Sequence, residues 1–80
     1  MKVYAVSEFE PMASTEIEKV FDSKEKAFNF IKSKVDINSK ITRWDEEPGG
    51  ELLLIAEIKF KVDDRRSLYH HWKVQAWDVE

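Results

Sequence analysis

Leu52-Leu53-Leu54-Ile55-Ala56-Glu57-Ile58-Lys59-Phe60-Lys61-Val62 alternates along its length, and so does Leu68-Tyr69-His70-His71-Trp72-Lys73-Val74-Gln75-Ala76-Trp77-Asp78-Val79. A period of two is the strand period, because successive side chains leave opposite faces of a pleated chain. In the first stretch Leu52, Leu54, Ala56, Ile58, Phe60 and Val62 share a face, and Leu53, Ile55, Glu57, Lys59 and Lys61 share the other. In the second, Leu68, His70, Trp72, Val74 and Ala76 oppose Tyr69, His71, Lys73, Gln75, Trp77 and Val79. A slip of one residue turns a strand over, so the two apolar sets must coincide. Pairing Val62 with Leu68 across residues 63–67 satisfies this. Ile58 then faces Trp72, Ala56 faces Val74 and Leu54 faces Ala76. On the reverse side Glu57 meets Lys73 and Leu53 meets Trp77, a charge pair and an aromatic–aliphatic pair that suit cross-strand contact.

Upstream, Val3–Phe9 reads as a short strand rich in β-branched and aromatic residues. Pro11 breaks it, since proline donates nothing to a ladder. Thr15–Phe21 closes a hairpin; Ile17 and Phe21 fall on one parity and Val20 on the other. Asp22 reads as a helix N-cap with Glu25 reaching back to it. Ala27, Phe28, Ile31 and Val35 recur at helical spacing, which predicts a helix over 23–35. Residues 40–44 fit either a short strand or an irregular cover, and Asp45–Gly50 is a polar turn. The expected fold is α+β: one domain over 1–80, an antiparallel sheet of four to five strands, and one helix packed on one face in ββα(β)ββ order.

Composition narrows the function. Eighty residues have room for one core and leave a thin stability margin. The chain has no Cys, so disulfides, thiolate nucleophiles and Cys-based zinc sites are excluded. No apolar run approaches the ~18 residues of a membrane span, and Glu8 interrupts the start too early for a secretion signal. These features read as a cytoplasmic protein without membrane contact. A net charge of −3 argues against a whole-protein grip on nucleic acid.

A single helix covers a single face, so the other should be wet. Around Glu57, Lys59, Lys61, Tyr69, His71 and Lys73 it is, but Leu53, Ile55, Trp77 and Val79 make an apolar patch at one end. Such patches mark contacts. Three covers stay open: the 36–50 segment with Trp44 or Ile41 as lid, a second copy in a homodimer, or a foreign protein. Glu8, Glu10, Glu16 and Glu18 gather on the first hairpin, either as a solvated edge or as an acidic dock for a basic partner. Lys59, Lys61 and Lys73 lie among Tyr69, His71 and Trp77, the mixture by which sheets hold single strands of nucleic acid.

Catalytic chemistry is not visible. His70 and His71 are neighbours on a strand and point to opposite faces, so they cannot share a metal. Gly49-Gly50 precedes no helix and is no phosphate cradle. No nucleophile sits in a His/Asp setting. Neither cofactor nor metal is expected.

The run Val20-Phe21-Asp22-Ser23-Lys24-Glu25-Lys26-Ala27 resembles the helix start of small uncharacterised proteins of bacteria and their phages. Those proteins open with a run like Lys2-Val3-Tyr4-Ala5-Val6 and close with one like Trp77-Asp78-Val79-Glu80. The likeness spans residues 2–35 and the final strand; Leu52–Asp63 and Tyr69–Trp72 lie outside it. It implies a phage- or mobile-element-borne accessory protein, and it carries over no catalytic residue. The expected function is non-enzymatic: binding another protein, as an inhibitor or accessory factor. The alternative is binding of single-stranded nucleic acid or a nucleotide through the open sheet face.

Overall fold

In the computed structural model, which describes residues 1–9 and 16–79, the chain runs β1 (Lys2–Phe9), β2 (Glu16–Phe21), α1 (Lys24–Lys32), β3 (Ser39–Glu46), β4 (Leu52–Lys61) and β5 (Ser67–Asp78). The five strands form one antiparallel sheet in the order β2-β1-β5-β4-β3. The first and last strands are therefore neighbours in mid-sheet, paired from Lys2–Asp78 to Phe9–His71. The long alternating stretches form the expected ribbon. Leu54, Ala56, Ile58, Trp72, Val74 and Ala76 are buried on the helix side, whereas Val62 and Leu68 near the turn are exposed and Leu52 pairs with Gln75 on the opposite face.

The ribbon's register differs from the predicted one by two residues. Phe60 pairs with Leu68, Ile58 with His70, Ala56 with Trp72 and Leu54 with Val74. A shift of two preserves both faces, so the core is unaffected while the partners change. The cause lies in the turn. Asp63 Oδ1 accepts from the backbone N–H of Arg65 and of Arg66 at 2.8 and 2.9 Å, and Val62 N–H donates to the Arg66 carbonyl. An aspartate folding its own backbone in this way centres the turn one residue earlier. Glu57 consequently meets His71 instead of Lys73.

Three bulges redirect side chains. The β1–β2 register shifts at Val6/Ser7, which makes Glu18 the extra residue of β2. Parity across β2 is thereby broken: Ile17 joins Val20 on the face away from the helix, while Lys19 and Phe21 stay on the helix side. Glu8 lies opposite Glu16 and not opposite Glu18. In β4 the shift at Leu52/Leu54 leaves Leu53 unpaired, and Leu53 packs against the core cluster instead of lying across from Trp77. In β3 the extra residue is Thr42. One added residue per strand is enough to send a side chain to the other face.

Ser23, not Asp22, caps the helix: its Oγ accepts from Lys26 N–H at 3.2 Å, and Asp22 instead binds Lys26 Nζ at 2.8 Å. The helix stops at Lys32, earlier than its apolar spacing suggests. Beyond it, Asp36, Asn38 and Ser39 close a side-chain-bonded turn that competes with helical bonding. Ala27, Phe28 and Ile31 are buried over Val6, Leu54, Ala56, Ile58, Trp72 and Val74. Each fully buried Ile or Leu contributes about 1.5–3 kcal/mol.

Residues 39–46 form a complete edge strand and no lid. Trp44 sits on the helix side, edge-on to Phe28 at 5.8 Å with Lys32 Nζ over its ring. Ile41 pairs with Ile58 on that same side. Gly49 and Gly50 both carry positive φ in the β3–β4 turn, which glycine adopts without the steric cost that a side chain brings.

Candidate docking surface

The sheet face opposite the helix is the candidate site, and it has two ends of different chemistry. At one end the β1–β5 register places Val3 against Trp77, and the β1–β2 register places Ala5 against Val20 and Ser7 against Ile17. Ala5 and Ser7 are buried although no described element covers them; both are small and flanked by larger neighbours. Their neighbours stand proud: Ile17 is 63%, Val20 51% and Trp77 47% exposed. Val79 is exposed beyond the strand, and Ile55 is half-buried across β4.

The other end surrounds the β4–β5 turn. Lys40 lies across from Lys59, and Lys59 across from Tyr69 with its Nζ 5.9 Å from the ring centre. An open groove of about 500 Å³ runs between these lysines, Lys61 and the turn residues Arg65 and Arg66.

Between the two ends the face is polar and internally paired. His71 Nε2 donates to Glu57 Oε2 at 2.7 Å, and Thr42 Oγ1 donates to Glu57 Oε1 at 2.7 Å. His71 Nδ1 is buried without a hydrogen-bond partner among the described residues, and the His71 ring leans on Phe9 at 5.5 Å. Lys73 Nζ lies over Phe9, and Arg43 pairs with Asp45. The Thr42 hydroxyl holds the Glu57 carboxyl below the usual carboxylate range; partial burial opposes it, and His71 adds to it.

Two acids of the first hairpin, Glu8 and Glu18, are paired within the fold. Glu8 Oε1 accepts from His70 Nδ1 at 2.6 Å, on the helix side beside Phe60 and Trp72. Glu18, redirected by its bulge, accepts from Lys34 Nζ at 2.9 Å and from Trp72 Nε1 at 3.1 Å. Burial pushes the Glu18 carboxyl up, and the Lys34 and Trp72 donors more than reverse it, so the net shift is downward. Glu10 and the Glu16 side chain lie outside the described residues.

These shifts fix an acid limb of stability. A carboxyl whose folded pKa is lowered stabilises the fold above its unfolded pKa and loses that contribution as pH falls through the folded value. Glu18, Asp22, Glu57 and Asp63 all shift downward. Thermal stability therefore declines as pH falls below about 4, where ordinary carboxyls protonate. Glu57→Gln makes that decline shallower; an unchanged slope contradicts the assignment.

Of the residues singled out in the sequence, Ile55, Trp77 and Val79 remain at the uncovered face, while Leu53 leaves it. Lys59, Lys61 and Tyr69 gather at the turn end; His71 and Lys73 belong to the paired middle. Ile17, Val20, Val3, Lys40 and Arg65 were not foreseen. Bulges and sheet order place the first three, and neither has a local sequence signal. Lys40 follows once 39–46 is a strand. Among the described residues no helix is long and apolar enough to cross a membrane. No family model, curated protein or solved structure matches the chain.

Proposed function

We propose that this chain is a non-enzymatic protein-binding module whose recognition surface is the apolar end of the uncovered sheet face. The carrying observation is the exposure of Ile17 and Val20 on β2 and of Trp77 on β5, flanking β1 on a face that no helix covers among the described residues. Exposed apolar patches mark contact sites, and an exposed tryptophan is a typical anchor. The face is a better dock than the edges. Both edge strands carry a bulge, at Glu18 in β2 and Thr42 in β3, and β3 adds Lys40, Arg43, Asp45 and Glu46. Bulges and charges discourage strand addition. The internal pairing of Glu8 and Glu18 likewise weighs against the acidic hairpin as the main contact. An accessory or inhibitor role, acting by occlusion of a partner protein, fits a small rigid sheet of this kind.

The test compares wild type with Trp77→Asp combined with Val20→Lys, both exposed positions that leave the core intact. Affinity capture from nuclease-treated lysate of the source cells retains a protein partner on wild type. The double variant binds that partner about 30-fold or more weakly, as for a tryptophan hot spot. Sedimentation of the purified chain distinguishes a second copy from a foreign partner. Equal capture by both proteins, with no shift in sedimentation, overturns the proposal.

A further inference from the structure

We infer that the groove at the β4–β5 turn is a second, separate site that binds single-stranded nucleic acid through its phosphates, with Tyr69 as a stacking platform. It is independent of the protein-binding reading, for it lies at the opposite end of the face and uses none of the same residues. The first ground is local charge. The chain as a whole carries −3, yet the groove is lined by five cations against two carboxylates, a surplus of three positive charges. The two carboxylates are already engaged. Asp63 accepts from the backbone N–H groups of Arg65 and Arg66 and from Arg66 Nε, and Asp64 lies 3.6 Å from Lys61 Nζ. That leaves Lys40, Lys59 and Arg65 without a carboxylate in ion-pair range among the described residues.

The second ground is the pairing itself. Lys40 and Lys59 are direct cross-strand partners, and like charges in that position destabilise a sheet. A fold that holds two lysines side by side has a site ready for an anion to neutralise. The third ground decides the class of anion. Tyr69 is the next cross-strand neighbour of Lys59, is half exposed, and presents its ring on the same face. Cations beside an accessible aromatic ring suit a phosphate chain whose unpaired bases can stack; a duplex hides its base faces, and an acidic peptide has no use for the ring.

The test is fluorescence anisotropy with a labelled oligothymidylate of about ten nucleotides, a length within the usual range for one such site. Raising salt from about 50 to 200 mM weakens wild-type binding roughly ten- to twentyfold, as three phosphate contacts on a single strand require. In Lys40→Gln/Lys59→Gln the salt slope shrinks by about two thirds. Tyr69→Ala weakens binding about tenfold at constant slope, because stacking does not release counterions. The lysine variant relieves a repulsion and stays folded, which a thermal melt verifies; Arg65→Gln, in the exposed turn, serves as a second charge variant. Trp77→Asp leaves oligonucleotide binding unchanged, which separates this site from the protein dock. Absence of binding, indifference to these lysines, or equal competition by polyglutamate or by a duplex of the same length overturns the inference.

Discussion

Trp72→Ala removes about 3–5 kcal/mol of stability, a large part of the whole for a domain of this size. Trp72 is only 3% exposed and sits at the junction of three elements. Its ring stacks on His70 at 5.8 Å and lies 6.3 Å from Phe60, and its Nε1 donates to Glu18 on the bulge of β2. Truncation leaves a cavity beneath the helix and takes one donor from Glu18. With roughly 4–8 °C lost per kcal/mol in small domains, the melting temperature falls by tens of degrees or the chain fails to fold at room temperature. Trp72→Phe separates the contributions: it keeps most of the packing, loses the indole N–H, and costs about 1–2 kcal/mol. A thermal or urea melt of both variants checks the order. Equal loss in the two assigns the effect to the hydrogen bond, and negligible loss in Trp72→Ala contradicts the core described here.

Ile31→Ala costs about 2–5 kcal/mol. Ile31 is fully buried on a helix of nine residues whose only other buried side chains are Ala27 and Phe28. A helix this short is marginal alone, so packing and not propensity holds it in place. The loss therefore appears as detachment of the helix from the sheet. Amide exchange accelerates along residues 24–32 more than along β4 and β5, whose pairing is independent of the helix. Uniform acceleration instead indicates that helix and sheet unfold as one unit.

The two variants mark different kinds of legibility. Alternation over 52–62 and 68–79 is a local property of the chain, since strand geometry alone assigns odd and even residues to opposite faces. It was enough for the ribbon, the central part of its buried face and the α+β class, and the spacing of Ala27, Phe28 and Ile31 was enough for the helix. Register and sheet order are not local. The predicted ribbon register failed by two residues because an Asp63 side chain, not the apolar pattern, centres the turn. The patch changed membership because a bulge turns Leu53 inward and another turns Ile17 outward, and no residue type announces either.

Chemistry within single strands, including the opposed His70 and His71 and the apolar reverse side near Trp77, was thus readable before any coordinates. What tertiary structure alone decided is which strands are neighbours. Val3 meets Trp77 only because β1 pairs with β5, Val20 meets Ala5 only because β2 pairs with β1, and Lys40 meets Lys59 only because residues 39–46 join the sheet edge. Such meetings are set by the closure of distant segments, whose free energy is shared over the whole core and is written in no one of them.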